Sequence, residues 1–176
     1  MKSKHIWLIV FITVGIAVVT AYYHHFASKW HSEGYTECVG EAQEFGRIPR
    51  LGNMLDGFRA EGAIKYQVIS KLRHYEIHLV AHFEEGAIDE GLKAHPELDA
   101  MPISSEEEPH GSYIHILREL EPQSMKYLSG ETLWIGGRGS LYDGMFLDYD
   151  PQSRILWGVI YLQRGEMPGT ENPTPR

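Results

Sequence analysis

The sequence predicts an α+β protein: an N-terminal transmembrane helix, then a small domain whose antiparallel, meander-like β-sheet of five or six strands is packed by one or two helices. Three observations predict it. Ile6 to Tyr23 (IWLIVFITVGIAVVTAYY) carries no charge over 18 positions. Beyond residue 62, apolar side chains recur with period two in short runs separated by turn residues. Before and between those runs lie segments with helical spacing or helix-end signals.

The first element is the span. A helix of that length rises roughly 27 Å, close to the thickness of a bilayer's hydrocarbon core. Lys2 and Lys4 precede it and Lys29 follows, a modest bias that places the N-terminus in the cytoplasm and the rest of the chain outside. Trp7, Tyr22, Tyr23 and Trp30 flank the run as interfacial aromatics, which suits an uncleaved signal-anchor. The alternative is a signal peptide cleaved near Val19-Thr20-Ala21, which would release the chain as a secreted protein.

Next, Tyr35, Cys38, Ala42 and Phe45 recur at helical spacing and predict a juxtamembrane helix, ended by Gly46 and Pro49. Leu51, Met54, Leu55 and Phe58 suggest one further short helix. Ala63 to Lys71 and Tyr75 to Phe83 then read as adjacent strands joined at Lys71 to His74. In the second, Tyr75, Ile77, Leu79, Ala81 and Phe83 form one face, and Glu76, His78, Val80 and His82 the other. Ser112 to Leu120 reads as a further strand. Pro122 and Gly130 bracket a short helix. Thr132 to Ile135, Leu141 to Asp148 and Arg154 to Gln163 complete the meander, with Asp150-Pro151-Gln152-Ser153 as a type I turn. The expected organisation is a cytoplasmic leader 1–5, a span 6–23, a juxtamembrane helix or stalk 24–50, an extracytoplasmic α+β domain 51–165 and a flexible tail 166–176.

Composition narrows the function. At 43% hydrophobic and 23% charged residues, the chain is not wholesale disordered. Sixteen basic against 24 acidic residues give a net charge of −8, which argues against a nucleic-acid partner. Its one cysteine, Cys38, allows neither an intramolecular disulfide nor a thiolate zinc cluster.

Four features are candidates for function. Glu84 to Glu108 holds nine acids and one base, so it accounts for the whole net charge; Glu106, Glu107 and Glu108 are its densest part and a docking surface for a cationic partner. His74, Glu76, His78 and His82 crowd one strand. At roughly 3.4 Å per residue, His74 and His82 lie about 27 Å apart, so only Glu76 and His78 can share an ion. His115, from an expected neighbouring strand, would supply the third ligand of a divalent metal such as zinc. Ile155 to Leu162 is apolar on both faces, a central strand whose Trp157 and Tyr161 are the alternative partner contacts. Gly136-Gly137-Arg138-Gly139-Ser140 lacks the spacing of a phosphate loop or a nucleophile elbow. The leading expectation is a non-catalytic, membrane-anchored domain that binds another envelope protein, as an accessory subunit or an immunity-type protein, without a cofactor. A metal- or small-ligand-binding β-domain using Glu76, His78 and His115 is the second. An exported hydrolase with a histidine base and Arg138 is the third.

Overall fold

The computed structural model describes residues 12–26, 34–102, 113–137 and 144–163. Helix α1 occupies 12–26. Seven strands follow, β1 Tyr35–Ala42, β2 Ile64–Ser70, β3 His74–His82, β4 Leu98–Pro102, β5 Leu133–Gly137, β6 Met145–Asp150 and β7 Ile155–Gln163. They form one sheet in the order β1-β2-β3-β7-β6-β5-β4, antiparallel throughout. Two meanders therefore meet at the β3–β7 seam. The expected α+β class and antiparallel meander sheet hold, with seven strands rather than five or six.

Helix α2, Ala87–Ala94, links the two meanders; α3, Ile114–Leu120, runs into a 3-10 helix, Pro122–Tyr127, with proline at its start. Each sheet face carries its own core because β3 and β7 alternate apolar residues on both sides. On one side Ile77, Leu79, Ala81, Phe83, Leu156, Ile160 and Leu162 pack beneath Phe45, Leu51, Leu55 and Phe58. On the other Val80, Ile155, Trp157 and Val159 pack beneath Ile116 and Leu117 of α3. The expected faces of β3 and β7 are thus both found, and β7 is covered on two sides.

Three expected elements differ. Tyr35–Ala42 is an edge strand, not a helix. Its inward residues are Cys38, Gly40 and Ala42, a period-two face with glycine at its centre. A Cβ at Gly40 would lie 2.8 Å from the Tyr66 hydroxyl, so the sheet itself requires the residue that hides the alternation. The sheet domain therefore begins near residue 35, ahead of the boundary expected at 51.

Second, Ser112–Leu120 is not a strand. Tyr113, Ile116, Leu117 and Leu120 stand at i, i+3, i+4 and i+7, and this stripe lies on the second core. Third, residues 51–57 form successive turns rather than a helix; Arg50, Gly52 and Gly57 take positive φ (71°, 59° and 94°), which interrupts any helical path. The acidic segment also holds structure: α2 and β4 both lie within it.

No helix among the described residues is long and apolar enough to cross a membrane. Residues 6–11 of the expected span lie outside the described residues and 12–23 fall within α1. The expected tail 166–176 is also outside them.

Candidate functional site

The densest group of ionisable side chains sits on the β3–β7 seam, where α3 starts. β3 turns Glu76 and His78 toward α3, and antiparallel register sets Tyr161 of β7 opposite Glu76 on the same face. The β2–β3 turn closes with Lys71 N–H donating to the His74 carbonyl, which brings both side chains to the end of this face. Above them, Asp148 of β6, almost wholly buried, accepts a hydrogen bond from the Tyr113 backbone N–H (3.4 Å) and so ties the start of α3 to the sheet.

Glu76 is the electrostatic centre. One of its oxygens meets Lys71 Nζ at 2.7 Å and His74 Nε2 at 3.2 Å; the other faces His78 Nε2 at 3.6 Å. Burial opposes its charge, yet His78, Lys71 and His74 outweigh that cost and hold its pKa down at about 2. Tyr161 moves the other way. Burial, then the neighbouring Tyr113 and Glu76, push it up to about 12. Aromatic rings finish the wall: Tyr161 contacts His74 at 5.6 Å and Phe146 at 5.8 Å between centroids, and Tyr113 contacts Phe146 at 6.0 Å. Neither extreme suits proton transfer near pH 7, for which Glu76 is too weak a base and Tyr161 too weak an acid.

The low value of Glu76 has a consequence for stability. Its pKa falls from 4.5 to about 2 on folding, so its contribution is in place above pH 4.5 and fades as pH drops toward 2. The full shift corresponds to stabilisation on the order of 3 kcal/mol. Urea unfolding of wild type and Glu76→Gln should therefore differ most at pH 6 and converge below pH 3. A gap that stays constant with pH contradicts the assignment.

Of the expected metal trio, Glu76 and His78 are neighbours. His115 joins them from α3, not from a strand, with its ring perpendicular to His78 at 6.3 Å. No group of three His, Cys, Asp or Glu among the described residues is arranged to hold a metal ion. Trp157 is completely buried under α3, so it packs the core instead of offering a partner contact, whereas Tyr161 is half-buried beside Glu76. Glu106, Glu107, Glu108, Arg138 and Ser140 lie outside the described residues. Lys71, Tyr113 and Phe146 were not singled out in the sequence as site residues, and His74 was named in the histidine-crowded strand but set aside as a ligand by distance. The helical stripe Tyr113, Ile116, Leu117, Leu120 was the signal that could have placed Tyr113.

A second cluster resembles a hydrolytic triad in composition but not in order. Glu121 accepts from Ser124 Oγ at 2.9 Å and meets His82 Nε2 at 3.1 Å through the same oxygen, with Lys65 Nζ at 3.5 Å from the other. A nucleophilic serine needs the histidine between itself and the acid. Here the carboxylate is central and holds the pair apart, so the cluster fastens the 3-10 helix to β2 and β3. Among the described residues there is also a cleft of about 560 Å³ on the opposite side of the domain, lined by Gln43 to Gly46 and Leu55 to Ala60.

Comparison with family models, with curated proteins and with solved structures finds no match.

Proposed function

We propose that this chain is a single-pass, membrane-tethered domain that binds another protein of the cell envelope, with the stretch Ile6 to Tyr23 as its anchor and the sheet domain outside the cytoplasm. The observation that carries this reading is the surface of α1. Ile12, Val14, Ile16, Val18, Val19, Tyr22, Tyr23 and Phe26 all stand more than half exposed along its 15 residues. A continuous apolar surface of that size is not sustained in water, and lipid is the solvent that fits it. The uncharged sequence extends to Ile6, which brings the apolar length to that of a span.

The binding role is supported by two surfaces. Among the described residues β1 and β4 are the edge strands of the sheet, with Val39 and Met101 exposed, the geometry used when an extended segment adds a strand. Glu84, Glu85, Asp89 and Glu90 at the start of α2 are exposed and lend the same domain an acidic face for a cationic partner. Tethering raises the local concentration of both molecules at the membrane, so modest affinity suffices.

The test is extraction. Full-length protein should remain in the membrane pellet at alkaline pH and enter solution with detergent, and a chain lacking residues 1–26 should partition to the soluble fraction. Release of the full chain by alkali alone rejects the anchor.

A further inference from the structure

We infer that the tip of the β2–β3 hairpin, Leu72 and Arg73, is a second membrane contact, with Leu72 seated at the acyl boundary and Arg73 on the phosphate of an anionic phospholipid. The inference rests on the reading of α1 as the anchor. Chain direction supplies its geometry. Eight residues, 27–34, separate α1 from Tyr35 at the start of β1, a reach of at most about 28 Å. Antiparallel register pairs Tyr35 with Ser70, the last residue of β2, so the hairpin tip stands at the end of the sheet where the chain arrives from the anchor. Glu84 and Glu85 follow the far end of β3, roughly 27 Å along that strand from His74.

The composition of the tip is the second observation. The turn closes through the Lys71 N–H and the His74 carbonyl, and neither Leu72 nor Arg73 takes a positive φ, so the backbone asks for no particular residue at either position. Solvated hairpin tips draw on glycine, asparagine, aspartate and serine. This one carries a leucine, 46% exposed, between two cations, and neighbouring Tyr35 is exposed beside it. Lys71 is turned back onto Glu76 at 2.7 Å, whereas exposed Arg73 enters no ion pair among the described residues. This set matches the membrane interface, where apolar atoms enter the acyl boundary, cations meet phosphate and tyrosine lies at headgroup depth. One such contact is weak for a free domain. Tethered by α1, the hairpin stays within reach of lipid and the contact persists. It stands the sheet on the bilayer and turns Glu84 and Glu85 outward, toward a cationic partner.

The experiment places a nitroxide label on one cysteine at a time in the full chain carrying Cys38→Ser, reconstituted into nanodiscs of phosphatidylcholine and phosphatidylglycerol. Leu72→Cys, Ile16→Cys and Glu85→Cys report the hairpin, the anchor and the far end. Collisions with oxygen, which concentrates in lipid, are compared with those of a water-soluble nickel chelate. Oxygen should dominate at positions 72 and 16, and nickel at 85. Adding Arg73→Glu, or omitting phosphatidylglycerol, should lower the oxygen-to-nickel ratio at position 72 by roughly twofold or more and leave position 16 unchanged. A label at 72 as wet as that at 85, with 16 in lipid, overturns the hairpin contact and spares the anchor. A label at 16 in water overturns the anchor, and this contact with it. A ratio at 72 that ignores both Arg73→Glu and lipid charge overturns the assignment of Arg73 to phosphate.

Discussion

Gly158→Ala should strip the domain of much of its stability. Gly158 lies in the middle of β7, paired with Leu79 of β3 on one side and Leu147 of β6 on the other. Its φ is 154°, a backbone setting that side-chain-bearing residues rarely take. A Cβ there would stand 2.2 Å from the Phe146 carbonyl oxygen and 2.8 Å from the Leu147 Cα. Both obstacles are backbone, held in place by the ladder, so no rotamer change relieves them. The strand must shift, and with it the seam where the two meanders join. A cost of about 4 kcal/mol or more is expected, a large share of the 5–15 kcal/mol that holds a typical domain together. Circular dichroism and thermal melting of the full chain in detergent check it. Gly62→Ala is the control, since Gly62 has positive φ (81°) but nothing within 4 Å of a Cβ, and it should cost only about 1 kcal/mol. If Gly158→Ala melts within a few degrees of Gly62→Ala, the described seam is wrong.

Asp150→Ala carries the second large effect. Asp150 is completely buried at the end of β6, and its carboxylate accepts from the Gln152 N–H (2.9 Å), the Ser153 N–H (3.0 Å) and both the backbone and the hydroxyl of Ser129. Two of these bonds shape the β6–β7 turn, as expected of Asp150 at the first position before Pro151. The others reach 21 positions back and pin the segment after the 3-10 helix to the sheet. Alanine would remove the acceptor of all these bonds at once; bonds to a charged group are worth about 1.5–3 kcal/mol each and less where water can reach the donors, as at exposed Ser129 and Gln152, for a total near 4 kcal/mol. Asp150→Asn separates the two roles. Its amide oxygen can still serve the turn, while its NH₂ would face the Ser129 N–H, so about half the loss is expected. Equal destabilisation by both variants would mean that the Ser129 contacts alone matter, and an Asn variant as stable as wild type would mean that the turn alone does.

The sheet was legible where its physics is local. β2, β3 and β7 show themselves because side chains two apart meet the same environment, and β3 and β7 could be assigned two faces each. Asp150 announced its turn through proline at the next position. What stayed hidden depended on partners far along the chain. Gly40 has no side chain to reveal that it faces inward against Tyr66, so Cys38 and Ala42, four apart, imitated a helix. Ile114 and Ile116 imitated a strand, although Ile116 and Leu117 are adjacent positions that both reach the core only on a helix. The site followed the same rule: Glu76 and His78 were visible as a pair on one strand, while Tyr113, Lys71 and the helical origin of His115 came from the packing of α3 and the turn.

The most direct measurement of where this domain sits uses a single thiol. Cys38 is the chain's one cysteine and is partly packed against the core of β1, whereas its neighbour Val39 is 65% exposed. In the variant Cys38→Ser/Val39→Cys, a membrane-impermeant maleimide added to intact spheroplasts should label the protein as fully as it does after lysis. Labelling that appears only once the membrane is broken would put the sheet domain in the cytoplasm and contradict the account.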